Sequence, residues 1–381
     1  MQFDLNEEQV AIRDMARRFT EQEITPYASQ WDETGHFPRE VYTKMAALGL
    51  MGMTTPDAYG GSMLSRLNGA LVYEELAKGD MATAVGLSVH NMVTGSLARF
   101  GSEEQRRRWV PRLASGELLG AFSLSESAAG SDAASLQCRA EREGDTYVLN
   151  GNKLWVTNGG EAEIYLVMVR STPGRQAAGI SCFVVEKGTP GFTFGKIERK
   201  MGLHSSPTRE LIFDHCVIPQ AQRIGEEGQG FKIALSALDG GRINIGATAV
   251  GVAQAAFDIA RNYALERVQF DKPIAAFQGV QFMLADMITK IEASRLLVYQ
   301  AAYRLDEGQS AGMYASMAKC FATDTAMEVT TNAVQILGGA GYVRDYPLER
   351  YMRDIKAAQI FEGTNQIQRI VIARALLNIR L

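Results

Sequence analysis

The chain has 381 residues, enough for a large core and two or three structural layers. Hydrophobic residues make up 46% and charged residues 22%, the balance of an ordinary globular protein. A net charge of −4 and a pI near 5.8 argue against a polyphosphate track such as DNA, which needs a basic face; a small anionic ligand met by a few arginines stays open.

Cys138, Cys182, Cys216 and Cys320 lie far apart, with no C-x-x-C spacing, and the four histidines are scattered. No metal site and no disulfide framework are expected, and a reducing compartment is the simple reading. No apolar run approaches the ~20 residues that span a bilayer, so no membrane is expected. Met1 to Thr20 has neither an apolar signal core nor transit-peptide character. The expected location is the bacterial cytoplasm, or the mitochondrial matrix for a mature processed form.

The first region, 1–120, reads as a helical domain. Val10, Ile12, Met15 and Phe19 recur at helical spacing within Leu5 to Phe19, and Glu40 to Gly52 and Ser65 to Ala77 read similarly. Glycine- or proline-containing breaks separate them. The second region, 121–228, changes period. Ile164 to Val169 and Ile180 to Val185 are β-rich apolar runs, and a third ends at Glu210 to Phe213. Asn150-Gly151 between Tyr147-Val148-Leu149 and Leu154-Trp155-Val156 predicts a hairpin. The third region, 229–381, is almost free of proline. Arg242 to Arg267 predicts one long helix rich in Ala and Gly, Met313, Met317 and Phe321 form an i, i+4 stripe, and Asp354 to Ile379 predicts helix, loop and helix with Phe361 to Gln366 near the break. The expected fold is mainly α with a central β-domain: an N-terminal helical domain, a small β-sandwich or barrel, and a C-terminal four-helix bundle.

Five segments could carry chemistry. Ala121 to Asp132 gathers hydroxyls, Gly130 and free backbone donors, suited to an acceptor-rich ring or a phosphate, or simply to a Ser-rich turn. In Leu154 to Gly159 a Trp at a strand end can cover a planar cofactor and Thr157 can donate to it; a core Trp is the plainer reading. Arg267 to Pro273, with Gln278, offers a guanidinium fork for pyrophosphate, or a charged helix end. Gln335 to Tyr342 holds glycines that cap a helix or admit a ligand to the backbone, without Rossmann spacing. Ile360 to Arg369 places Glu362 between Phe361 and Gly363. A desolvated carboxylate there would have a raised pKa and act as a base; a helix-start glutamate looks the same.

Taken in order, the five blocks resemble the acyl-CoA dehydrogenase family along essentially the whole chain. The resemblance implies FAD, with Phe122, Leu124, Ser125, Gly130, Ser131, Trp155, Val156 and Thr157 around its ring region. It implies that Arg267, Gln269, Phe270, Gln278, Gln335, Ile336, Leu337, Gly338 and Gly339 meet the adenine end of a neighbouring subunit's FAD, and that Thr364, Asn365 and Gln366 touch the cofactor. Glu362 would be the catalytic base. Its backbone N–H and a ribityl hydroxyl of FAD would face the thioester oxygen. Asp239, Arg242, Ser131, Phe361 and Gly363 would bind the acyl-CoA substrate. The electron acceptor would be an electron-transferring flavoprotein, and the assembly a homotetramer built as a dimer of dimers. Some relatives carry the base at the position of Gly241, which glycine cannot fill. The family often has Pro at Ser127, Tyr at Phe361 and Arg at His204. A short straight or branched acyl chain is the expected substrate. The alternative is a non-catalytic, nucleic-acid-binding flavoprotein of the same fold; a helical interaction protein without cofactor is a third reading.

Overall fold

The computed structural model describes residues 4–174 and 177–378. Six helices open the chain: α1 (Glu7–Glu23), α2 (Ala28–Thr34), α3 (Arg39–Ala47), α4 (Arg66–Gly79), α5 (Met81–Phe100) and α6 (Glu103–Ala114). Their starts follow from local chemistry. Asn6 and Ser102 each accept from the amide three residues on while Gln9 and Gln105 reach back, so α1 and α6 begin in capping boxes. Ser65 and Asp80 cap α4 and α5 in the same sense.

Eight strands follow: β1 (Gly120–Ser123), β2 (Arg139–Glu143), β3 (Thr146–Thr157), β4 (Ile164–Arg170), β5 (Ile180–Glu186), β6 (Phe192–Ile197), β7 (Thr208–Pro219) and β8 (Arg223–Ile224). They pair into one mixed sheet in the order β6-β7-β3-β2-β4-β5-β8, with β1 added parallel to β4. Alternate residues of β4 enter different cores: Tyr165, Val167 and Val169 join the larger one, where Tyr165 meets Phe192 and Phe194, while Ile164, Leu166 and Met168 pack with Trp109 and Ile233. Burial on both faces explains why β4 and β5 read as unbroken apolar runs.

The Asn150-Gly151 hairpin does not form. β3 runs straight through it, with a register shift against β7 between Leu149 and Gly151. Asn150 Oδ1 accepts from the His215 amide at 2.9 Å, and Gly151 has φ +131 where a Cβ would stand 2.8 Å from Cys138 Cα. The pair makes a bulge at a close strand approach. The turn between β2 and β3 falls instead at Gly144-Asp145, joining Glu143 to its partner Thr146.

The last part holds α7 (Gly230–Glu266), a two-residue ribbon of β9 (Val268–Gln269) and β10 (Lys272–Pro273), then α8 (Gln278–Asp306), α9 (Gly312–Leu337), α10 (Gly339–Tyr342), α11 (Leu348–Ala358) and α12 (Asn365–Leu377). α9 lies against α7, α8, α11 and α12. Ile379, the expected end of the final helix, lies outside the described residues. α7 starts well before Arg242, because Gly240 and Gly241 are helical here and are needed small. By length and composition α7 could cross a bilayer, contrary to the sequence expectation, but 78% of its most apolar window is buried within the protein, as in a core helix. Among the described residues no cluster of His, Cys, Asp or Glu could hold a metal ion.

Gly251 sets the approach of α4 to α7: a Cβ there would stand 2.0 Å from the Glu74 carbonyl oxygen. Gly251→Ala must push the helices apart. It is expected to lower stability by about 1–3 kcal/mol, read as a lower urea midpoint at unchanged slope.

Candidate active site

α11 stops at Ala358 and α12 begins at Asn365, so Glu362 lies in the connecting loop and not in a helix. Glu362 has φ +53 and Gly363 φ +89, left-handed backbone that a glutamate adopts only when its surroundings impose it. The surroundings are named bonds. Gln368 Nε2 donates to the Glu362 and Gly363 carbonyls at 3.1 and 2.8 Å. Lys319 Nζ, on α9, donates to the Gly363 carbonyl and to Asn365 Oδ1, both at 2.9 Å. Asn365 Nδ2 donates onward to Thr323 Oγ1 and Asp324 Oδ1 at 2.9 and 2.7 Å.

This leaves the Glu362 carboxylate pointing at α7. Oε2 is buried and has no hydrogen-bond partner. Burial pushes the carboxyl pKa up to about 7, while the charges of Arg242 and Lys319 pull the other way. A Cβ on Gly241 would stand 2.5 Å from Oε2, so only glycine leaves room for the carboxylate. Among the described residues the backbone N–H of Glu362 has no acceptor.

Gly241 also borders a cavity of about 50 Å³ between α4, α5 and α7, lined by Tyr73, Asn91, Met92 and Asn244 among others. The Tyr73 hydroxyl is buried there, close to Ser88 and Asn91, without a hydrogen bond of normal geometry. Arg242 is nearly buried and donates to Asp239 Oδ1 at 2.9 Å, and burial raises the Asp239 pKa. Phe361 and Gly363 flank Glu362, half-buried.

The first two sequence blocks meet at one rim of the sheet. The Leu154 amide donates to the Ser125 carbonyl at 2.9 Å. Beneath them Lys153 Nζ, fully buried, pairs with Glu126 Oε1 at 2.7 Å and donates to the Leu124 carbonyl at 3.0 Å. Glu126 in turn accepts from the Gln137 and Cys138 amides. Phe122 and Leu124 are half-buried, Gly130 and Ser131 exposed. Trp155 is 61% exposed at φ +61, whereas Val156 faces the core, so only its backbone can reach a ligand.

Other expected contacts fall elsewhere. Arg267 lies about 39 Å along α7 from Gly241, at a rise of ~1.5 Å per residue. Arg267, Gln269, Phe270 and Gln278 are exposed, as are Gln335, Gly338 and Gly339, while Ile336 and Leu337 are buried. Thr364 caps α12, and Gln366 is exposed. The Asn365 side chain is spent on α9, where it anchors the loop. Lys319, Gln368, Tyr73 and the Glu126–Lys153 pair were not singled out from sequence; the available signal was a lysine in the Ala-rich stripe Ala315, Ala318, Ala322.

Residues 6–117, 121–216 and 228–377 match the N-terminal, middle and C-terminal domains of acyl-CoA dehydrogenase. The chain belongs to the acyl-CoA dehydrogenase family of flavin-dependent oxidoreductases. An acyl-CoA dehydrogenase of Bacillus subtilis is 49% identical over 98% of this chain and 99% of its own length. The mitochondrial isobutyryl-CoA dehydrogenase of Dictyostelium discoideum is 45% identical over 98% of this chain and 90% of its own. The structure of butyryl-CoA dehydrogenase from Megasphaera elsdenii superposes with a TM-score of 0.97 at 44% identity, covering 99% of this chain and 100% of that one.

Gly241→Ala should leave the fold intact, displace the carboxylate and slow acyl-CoA-dependent flavin reduction about 100-fold, measured by anaerobic stopped-flow absorbance.

Proposed function

We propose that the chain oxidises a short fatty acyl-CoA thioester to its trans-2-enoyl-CoA, with Glu362 as the base that takes the α-proton. The observation that carries the reading is the buried, unpartnered Glu362 carboxylate, held at a left-handed backbone position over Gly241. A carboxyl with a pKa near 7 is a competent base at neutral pH and releases its proton readily afterwards.

FAD, when bound, supplies the hydride acceptor, N5 of its isoalloxazine ring. The residues present fit it. Trp155 exposes a flat face at the rim, Gly130 has open space where a Cβ would be, and the Ser125 and Thr157 hydroxyls make no hydrogen bond among the described residues. The buried Glu126–Lys153 pair holds that rim in place.

Around the substrate, the free Glu362 N–H is a donor for the thioester oxygen as negative charge grows on it. Losing such a donor typically costs roughly 10²–10³ in rate. Asp239 and Arg242 serve CoA recognition, and Ser131 the pantetheine arm. A short acyl group is the favoured substrate, in line with the names of the butyryl- and isobutyryl-CoA relatives.

The exposed Arg267, Phe270, Gln278, Gln335, Gly338 and Gly339 are too far along α7 and α9 to serve the cofactor beside this Glu362. They fit the adenine end of a neighbouring copy's FAD, in a homotetramer built from dimers. An electron-transferring flavoprotein is the acceptor that completes turnover.

Glu362→Gln should retain FAD yet fail to bleach with butyryl- or isobutyryl-CoA under anaerobic conditions; full bleaching by that variant overturns the assignment. Because the base acts only when ionised, wild-type flavin reduction should rise with pH through about 7 and fall below it.

A further inference from the structure

The connecting loop that carries Glu362 rests on one buried cation. Lys319 is fully buried in the middle of α9, on a stripe otherwise of Ala315, Ala318 and Ala322. A lone ammonium in such a place is costly unless its protons are taken and its charge is met. Lys319 Nζ gives protons to the Gly363 carbonyl and to Asn365 Oδ1, the residues just after the base. It forms no ion pair within 4.0 Å among the described residues. Its strongest attractive charge is Glu362 itself.

We propose that Lys319 is a positioning residue of the reaction, whose ammonium ties the base-bearing loop to α9 and presents a fixed positive charge to the Glu362 carboxylate. This rests on Glu362 being the base, and it assigns to α9 a part in the chemistry beyond packing. The loop could be held by a neutral side chain: Gln368 already bonds both the Glu362 and Gly363 carbonyls. A cation adds what an amide cannot, an attraction that strengthens when the carboxyl ionises. The other groups around the carboxylate are Arg242 from α7 and the Tyr73 hydroxyl from α4. On α9 Cys320 and Asp324 stand beside Lys319, and Arg369 of α12 pairs with Asp324. Arg242 is already committed to Asp239 at 2.9 Å. Lys319 is therefore the cation without a carboxylate partner of its own. Burial lowers its pKa to about 8, still above the value near 7 of Glu362, so it is mostly protonated at the midpoint of the Glu362 ionisation.

The sign follows. Removing the ammonium destabilises only the ionised form of Glu362, so its pKa rises and the base is lost at higher pH. The experiment is the pH dependence of anaerobic flavin reduction by butyryl-CoA, comparing the FAD-loaded wild type with Lys319→Gln and Lys319→Met. Lys319→Gln keeps a donor for the loop; Lys319→Met replaces the ammonium by an apolar chain of similar length and removes both loop bonds. Flavin content and thermal midpoint are measured alongside. The expected result is an acid limb moved up by about one unit in both variants. Below the limb that is a loss on the order of tenfold, vanishing at high pH in Lys319→Gln. Variants that lose stability or flavin but keep the wild-type limb would show a merely structural lysine and overturn the proposal. If no acyl-CoA bleaches the wild type, the dehydrogenase reading itself fails, and if Glu362→Gln still bleaches, the reading of Glu362 as base fails; both outcomes are separate from the behaviour of the Lys319 variants.

Discussion

The site depends on one contact, the Glu362 carboxylate over the bare backbone of Gly241. It demands opposite things of two segments. The loop between α11 and α12 must turn left-handed to aim the side chain inward, and α7 must carry a glycine where a helix would prefer alanine. A glycine in a helix interior costs about 1 kcal/mol relative to alanine, and a left-handed glutamate is strained as well. Both costs are borne next to each other, as expected where function and not stability selects the residue. Gly240 repeats the pattern: a Cβ there would stand 3.0 Å from Arg66 Nη1.

The rest of the fold arranges support for that contact. α9 supplies Lys319, Thr323 and Asp324 as anchors for the loop, and α12 supplies Gln368. α7 supplies Arg242, and α4 and α5 wall the cavity beyond it. The sheet contributes at a distance: its rim, with Trp155 standing out of the surface, is fixed by the buried Glu126–Lys153 pair. Two buried lysines thus do similar work in different domains, each bonding the backbone of a functional loop from an apolar interior.

Much of this was legible in the sequence because it is periodic or local. The helices of the first region, the unbroken apolar strands and the break at Phe361 to Gln366 all follow from spacing and end signals. What was not legible is what depends on a distant partner. Asn150-Gly151 has the composition of a turn, but the neighbouring strands make it a bulge: His215 bonds the Asn side chain and Cys138 crowds the Gly. Asn365 has the look of a ligand residue, but α9 consumes its side chain. Gly241 drew attention only as a missing base, whereas its real constraint is the volume left to Glu362. Lys319 left only a faint mark, a lysine within a stripe of alanines; a lysine within a helix normally faces water, and the packing of α7, α11 and α12 around α9 shows that this one does not.

The electrostatics follow the same logic of distant partners. Burial alone would hold the carboxyl neutral, useless as a base at neutral pH; full exposure would leave it ionised but a weaker base. The site lies between these limits because two cations reach it from different helices, Arg242 on α7 and Lys319 on α9. Neither forms a direct ion pair with it, which would fix the carboxylate too firmly in its charged form and oppose proton uptake. Held at a short remove, the charges trim the effect of burial without cancelling it. A carboxyl with a pKa near 7 is therefore a property of how α7, α9 and the loop pack together, and not of the Glu-Gly sequence that first marks the position.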